Sequence, residues 1–225
     1  MNELTQNSFI QTSLDWIKEN YLKIIFVFLF LSSIFGWIFY QGYIQEKSSK
    51  EASILFDEFN TFLNKENIDF DKLNSIQEKT NKNYPDQIYS ILMNLEISEL
   101  NYNSKNLQGS MDKLRKVNLE LEKRGDEVSV LRDLSRLKYS LLLISQNELN
   151  EAIELLSKDF NFFNELKYEF LGDAQMESSN VLEAKKNYQI ALDISSSEIH
   201  KELIKIKLST ICLLYTSDAA DDQLG

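Results

Sequence analysis

The segment "YEFLGDAQMESSNVLEAKKNYQIAL", residues 168–192, decides the fold of this chain. It contains small residues at Gly172 and Ala184, twelve positions apart, with larger residues on either side of them. Small residues let two antiparallel helices approach closely, and large ones such as Tyr188 fill the remaining space. Nothing in the segment is reactive, so its spacing predicts a helical hairpin whose residues serve packing.

The same pattern recurs twice earlier in the chain, in weaker form. Moving back by 32 residues places Ser140 and Ala152 at the two small positions. A further shift of 42 residues places Ser98 and Ser110 there. Such hairpins bury their apolar faces only by stacking on their neighbours, so we predict three stacked hairpins over residues 84–195. The residues predicted to pack the repeats are Ser98, Ser110, Leu114, Tyr139, Ser140, Ala152, Leu156, Tyr168, Leu171, Gly172, Ala184, Tyr188 and Ala191.

The alternative to a repeat is a plain helical bundle in which this spacing is a coincidence. Either way the composition predicts an all-α fold, because the 225 residues include one Pro and only six Gly. The formal net charge is −11, and no cluster of basic residues is present that would bind nucleic acid. One Cys and one His exclude an internal disulfide and a Cys/His metal site, so no metal is predicted.

The run "IIFVFLFLSSIFGWIFY", residues 24–40, contains no charge. With its flanking residues it is long enough to cross the hydrocarbon core of a bilayer, which takes about 20 helical residues. Aromatic residues lie at both ends, where interfacial belts are expected. The alternative is a secretory signal peptide, but the run is long for one and bulky residues follow it in place of a cleavage site.

The predicted organisation therefore has four parts. Residues 1–20 form a short cytoplasmic or juxtamembrane segment, and residues 21–43 form the transmembrane helix. The hairpin spacing resembles that of the tetratricopeptide repeat, so residues 44–211 are predicted to form a tetratricopeptide-like helical-hairpin solenoid. The last fourteen residues, 212–225, have a different composition and are treated separately below.

The orientation of the span is not decided by charge. Lys18 and Lys23 flank its amino side, and Lys47 and Lys50 flank its carboxyl side, so the positive-inside rule is balanced. Lys23 lies closest to the apolar core and the free amino terminus adds a further charge. These two features favour an amino terminus in the cytoplasm.

Three local expectations concern single residues. Pro85 is expected in the first turn of a helix, where its missing N–H is not needed. His200 is expected on the exposed face of the last helix. The aromatic residues Phe160, Phe162 and Phe163 are expected to pack between successive hairpins, with an exposed peptide-binding patch as the alternative.

No catalytic motif stands out in the sequence. There is no Gly-rich phosphate loop, no H-E-x-x-H and no G-x-S-x-G. We therefore predict no enzyme activity and no cofactor. The interpretation from the residues alone is a binding module, and a cytoplasm-facing scaffold or regulatory adaptor of an envelope assembly remains the alternative.

One amino-terminal span followed by degenerate tetratricopeptide hairpins resembles the YfgM family, the ancillary subunit of the bacterial SecYEG translocon. The segment "DWIKENYLK", residues 15–23, looks like the juxtamembrane part of that family, although Tyr21 stands where Gly is common. Residues 84–117 look like its first clear hairpin, and "EFLGDAQ", residues 169–175, has the spacing of a later one.

This resemblance implies a place and a role. The protein would be single-pass in the bacterial inner membrane, with the repeat domain in the periplasm beside SecYEG. Its expected partners are the membrane, SecYEG, a PpiD-type periplasmic chaperone and unfolded client proteins that emerge from the channel. Individual client-binding residues are not implied.

The final segment, "CLLYTSDAADDQLG", residues 212–225, follows an abrupt change from a Lys/Ile-rich to an Ala/Asp-rich composition. It resembles the translation of a transposon-end sequencing adapter and is predicted to be an assembly artefact outside the fold. The alternative is a disordered acidic tail.

Overall fold

The computed structural model describes the backbone of residues 3–221 and the side chains of Trp16, residues 18–23 and residues 25–211. Within those residues every regular element is helical, which confirms the predicted all-α fold class. The helices are α1 (Glu3–Leu63), α2 (Phe70–Asn83), α3 (Tyr89–Asn103), α4 (Leu107–Leu121), α5 (Ser129–Ser145), α6 (Leu149–Ser157), α7 (Asn164–Glu177), α8 (Val181–Ile194) and α9 (Glu198–Asp221), with a 3-10 turn at Asp126–Val128.

Helix α1 is one continuous helix of 61 residues, about 90 Å long at 1.5 Å per residue. It includes the predicted juxtamembrane segment, the predicted span and the first helix of the domain, with no break at either boundary. Among the described residues this is the one helix long and apolar enough to cross a membrane, and none of its apolar window is buried. Phe30, for example, is 67% exposed, as a lipid-facing side chain would be. The predicted amino-terminal apolar helix is confirmed.

The remaining helices pack as antiparallel hairpins. The most extensive contacts join α3 to α4, α5 to α6 and α7 to α8, the three pairs predicted from the repeat. The end of α1 pairs with α2 before them, and α9 covers α8 after them. Four apolar clusters run along the stack, each sharing a helix with the next. They centre on Phe59, Leu143, Leu156 and Tyr188.

The turn inside each of the three hairpins has the same backbone structure. Lys105, Asn147 and Ser179 each adopt the left-handed conformation, with φ of 62°. They lie at equivalent positions of the three repeats, seven residues after the first small residue. In each turn the next N–H donates to a carbonyl five residues back, at 2.8–2.9 Å, which satisfies the helix end as a Schellman motif does.

The expectation for Pro85 was wrong. Helix α3 begins at Tyr89, and Pro85 lies in the preceding turn, in which the Gln87 N–H donates to the Tyr84 carbonyl at 3.1 Å. The reason is that α2 and α3 reverse direction within five residues. The fixed φ of Pro suits the second position of such a turn.

The three phenylalanines of the segment between α6 and α7 differ in burial. Phe160 is buried in a cluster with Leu137, Leu156 and Leu171, so it packs between successive hairpins. Phe163 is half-buried, and Phe162 is exposed. Only one of the three therefore lies at the surface.

The backbone of α9 continues to Asp221, while the side chains beyond Ile211 lie outside the described residues. The interpretation of residues 212–225 as an artefact, and the domain boundaries drawn from the sequence, remain predictions.

Candidate functional site

The repeat positions singled out in the sequence lie where the two helices of each hairpin meet. All of them are buried except Tyr168, which is half-buried. In the first hairpin the two small residues touch directly, because Ser98 Oγ and Ser110 Oγ are 3.2 Å apart and share a hydrogen bond. In the second, Ser140 and Ala152 are both fully buried.

The third hairpin differs because a large ring occupies the space between its helices. A Cβ placed on Gly172 would lie well inside van der Waals contact with the Tyr188 ring. The Tyr188 hydroxyl donates to Asp173 Oδ1 at 2.7 Å, and burial together with this carboxylate raises the pKa of Tyr188. The residue at the Tyr188 position is Leu156 in the second hairpin and Leu114 in the first, where serine replaces the glycine.

A cleft of about 340 Å³ opens between α3 and α5. Helix α5 packs on α7, and α3 packs on α1, but α3 and α5 are not among the helix pairs that pack extensively in the described part of the chain. Ser98, Ser110, Leu114 and Leu142 form the floor of the cleft. The first hairpin and the second therefore leave a space between their leading helices.

Two exposed apolar side chains line the walls of this cleft. Tyr102 on α3 is 55% exposed, and Leu141 on α5 is 45% exposed. At its rim, Lys138 Nζ lies 2.8 Å from Glu99 Oε2, and both side chains are well exposed. A shallow cleft with two leucines and two mutually hydrogen-bonded serines in its floor, and an ion pair at its rim, suits one or two side chains of a bound polypeptide segment.

A family model described as a tetratricopeptide repeat-like domain matches residues 15–212 of this chain. The chain belongs to the tetratricopeptide repeat-like domain family. The match extends from the juxtamembrane part of α1 to α9, and so includes the whole of the helical stack. No solved structure matches the chain.

A curated relative supports the resemblance drawn from the sequence. The protein described as "Ancillary SecYEG translocon subunit" from Buchnera aphidicola subsp. Acyrthosiphon pisum (strain APS) is 26% identical over 207 residues. The alignment covers 86% of this chain and 95% of that relative. The predicted resemblance to the translocon-subunit family is thereby confirmed.

On the opposite side of the tetratricopeptide repeat-like domain, two wider hollows lie along α4 and α6. One of about 690 Å³ is lined mainly by charged residues near Arg124, and another of about 500 Å³ lies beside Glu151. In the second, the Tyr139 hydroxyl donates to Glu151 Oε1 at 2.8 Å and accepts from Arg115 Nε at 2.9 Å. Their charged walls are less suited to an apolar segment than the α3–α5 cleft is.

Sequence reasoning missed a buried charge network that holds the α6–α7 loop of the repeat-like domain. Asp133 Oδ2 accepts from the N–H groups of Asn161 and Phe162 at 2.8 and 3.0 Å. Arg136 Nη1 donates to the Asp159 carbonyl at 2.7 Å, and its other nitrogens donate to Glu122 Oε1 at 2.8–3.0 Å. A search for apolar spacing does not find these residues, because they are charged and bond to groups that are distant in the chain.

The expectation for His200 was also wrong. Its side chain is 14% exposed, and Nε2 lies 2.6 Å from Glu169 Oε2 on α7. Lys207 bonds the other oxygen of Glu169 at 2.7 Å and also bonds Asp173 at 2.6 Å. The correction has a simple cause, since the short α8–α9 turn brings this face of α9 against α7.

In this second network, which includes Glu169 and Lys207, hydrogen bonds between the side chains stabilise their charged forms. Burial alone would raise the pKa of the Glu169 carboxyl, but hydrogen bonds from Lys207 and His200 outweigh it and lower that pKa. Burial likewise opposes the charge on Lys207, yet hydrogen bonds to Asp173 and Glu169 raise the pKa of this lysine. The network therefore docks α9 on the stack as a set of paired charges.

No group of three or more His, Cys, Asp or Glu side chains that could hold a metal occurs in the part of the chain that the structure describes. The acidic and basic groups that do cluster are bound to one another and to loop carbonyls. Their geometry serves the packing of hairpins.

Proposed function

We propose that this chain is a membrane-anchored binding module of the SecYEG translocon, with its repeat domain in the periplasm and its amino terminus in the cytoplasm. There it receives segments of secreted and outer-membrane proteins as they leave the channel. It works beside a periplasmic chaperone of the PpiD type. Its role is to hold polypeptide, without a catalytic step.

The α3–α5 cleft is the observation that carries this proposal. It is a shallow apolar space on a membrane-anchored repeat domain whose relative is named as a translocon subunit. The anchor raises the local concentration of the cleft near the membrane without any new contact. Because a cleft of about 340 Å³ holds only one or two side chains of a client, we expect binding to be weak and exchangeable, as a client that must leave to fold requires.

A photocrosslinking experiment tests the role of the cleft. A photoreactive amino acid replaces Leu141 in the full chain, and secretory proteins are arrested during export. We expect crosslinks to the arrested chain from position 141. The matched control is Leu119 on α4, which is exposed at the opposite face of the stack. Crosslinking of equal yield from 141 and 119 would contradict the assignment.

The side of the membrane is tested separately. Alkaline phosphatase or a fluorescent protein is fused after Ile211, and the two fusions are compared in a Gram-negative host. Active phosphatase with a dark fluorescent protein supports a periplasmic domain. The reverse result favours the scaffold or regulatory adaptor in the cytoplasm and excludes the translocon-client role.

A further inference from the structure

Helix α1 leaves the predicted span and becomes the first helix of the domain without interruption. The domain contacts α1 shortly after the predicted end of the span. Gln87 Nε2 donates to Ser48 Oγ at 3.4 Å, and the Tyr84 hydroxyl donates to Glu51 Oε2 at 2.9 Å. The α2–α3 turn is therefore fixed to α1 five to eight residues beyond Tyr43, where the span is predicted to end.

These positions translate into heights above the hydrocarbon core. At about 1.5 Å per residue, Ser48 lies roughly 7 Å and Glu51 roughly 12 Å along α1 from Tyr43. The polar headgroup layer adds roughly 5–8 Å on each side of the core. Ser48 thus lies at the level of the headgroups, and the turn that it contacts lies at their outer boundary.

The α4–α5 loop is held at the same end of the domain. Arg124 Nη1 donates to the Asp86 carbonyl at 3.0 Å, and Nη2 donates to the Pro85 carbonyl at 3.2 Å. The two connections that flank the α3–α4 hairpin therefore meet beside the base of α1. By contrast, the α3–α4 turn lies at the far end of α3, about 22 Å away along a helix of 15 residues.

We propose that this end of the domain, the membrane-facing edge, rests on the phosphate groups of phospholipids. The edge consists of Lys47, Lys50, Lys82, Pro85, Asp86 and Arg124. The three lysines are exposed on α1 and in the last turn of α2, within reach of a phosphate layer at this height. Juxtamembrane lysines are attracted to the negative surface potential of anionic lipids.

Acidic side chains moderate this attraction. Glu51 accepts from Tyr84, while Glu46 and Asp86 are exposed at the same edge. The short rigid connection therefore holds the edge at the height of the headgroups, and the lysines bring it into contact with the phosphates. This contact does not depend on which side of the membrane the domain occupies, nor on the proposed translocon role.

The test uses the full chain with Cys212→Ser and a single fluorophore attached at Asp86→Cys or at Ser104→Cys. Each protein is reconstituted into vesicles of phosphatidylethanolamine and phosphatidylglycerol that contain a lipid with a spin-labelled headgroup. We expect the label at position 86 to be quenched several-fold more than the label at position 104. Equal quenching at both positions, or none at either, would overturn the proposal.

The role of the phosphate is tested by charge reversal on the same background. Lys82→Glu is expected to reduce quenching at position 86, because an anion then faces the lipid phosphates. Lys65→Glu, in the α1–α2 loop away from the edge, is the matched control and should leave quenching unchanged. Identical quenching in the Lys82→Glu protein would overturn phosphate as the partner. Thermal unfolding followed by circular dichroism checks that each variant is folded.

Discussion

At the scale of residues, position 172 requires glycine because the Tyr188 ring leaves no room for a Cβ. The Tyr188 side chain lies against the Cα of Gly172, whereas the corresponding positions of the other two hairpins are occupied by serine and leucine. We predict that Gly172→Ala destabilises the protein by about 1–3 kcal/mol, the usual cost of overpacking a filled core. Urea unfolding measures the change.

A double-mutant cycle separates the clash from other effects of the alanine. Tyr188→Leu alone loses the hydrogen bond to Asp173 and is expected to be destabilising. In the Tyr188→Leu protein, however, Gly172→Ala should lower the free energy of unfolding much less than it does in the unmodified protein. If the two changes are simply additive, the contact between Gly172 and Tyr188 is not the cause.

The left-handed turn residues give a second prediction. Lys105 and Ser179 have φ of 62°, a conformation that glycine adopts readily and that costs most other residues free energy. We predict that Lys105→Gly stabilises the domain by about 0.5–1 kcal/mol. The change in denaturant midpoint measures it. Lys105→Ala is the control, and a similar gain from alanine would contradict the argument.

The sequence predicted some of these residues and missed others for a physical reason. Ser98, Ala152 and Gly172 were found because small residues at a fixed spacing are a direct consequence of close helix packing. The turn at Lys105 was missed, because lysine has no preference for a left-handed conformation. Asp133 bonds to groups 28 and 29 residues away in the chain, and a local pattern does not contain such pairs.

At the scale of elements, α9 is docked by charges that define a pH range. Because the folded-state pKa of Glu169 is lowered, its contribution to stability is complete above the unfolded value of about 4.3 and is lost as the pH falls through the folded value. The folded-state pKa of Lys207 is raised, so its contribution is complete below about 10.4 and is lost as the pH rises through the folded value.

We therefore predict that α9 docking weakens in acid below about pH 4.3 and again in alkali above about pH 10.4. Hydrogen exchange of the α9 amides across this range measures it. Glu169→Gln should remove the loss in acid that this carboxyl causes, whereas Glu202→Gln, at an exposed position of α9, should not. An acid profile of α9 exchange that Glu169→Gln leaves unchanged would contradict the prediction.

The helix pairs were predictable, but the space between α3 and α5 was not. Each hairpin is specified by residues within about 30 positions of one another, which a repeat search compares directly. The gap depends on the angle between consecutive hairpins. Contacts between these hairpins, such as the ion pair of Lys138 on α5 with Glu99 on α3, join residues 39 positions apart in the chain. No periodicity in the sequence encodes that angle.

At the scale of the whole molecule, the unbroken α1 fixes the height of the domain. We predict that inserting seven helix-forming residues between Gln45 and Glu46 raises the domain by about 10 Å and turns it by only about 20°. The label at position 86 should then escape headgroup quenching.

The same seven residues inserted in the loop after Leu63 are the control, because that loop lies beyond the contacts with Ser48. Quenching at position 86 should persist in the control protein. Persistent quenching in both insertions would mean that the connection is not rigid, and would contradict the continuous helix as the element that sets the height.

The continuity of α1 also couples rotation. A flexible linker would dissipate any twist of the anchor, but a helix hydrogen-bonded along its whole length transmits it to the stack. A membrane protein that binds one face of the span therefore also fixes the orientation of the α3–α5 cleft about the axis of α1. The face of the span and the α3–α5 cleft do not touch, but α1 connects their orientations.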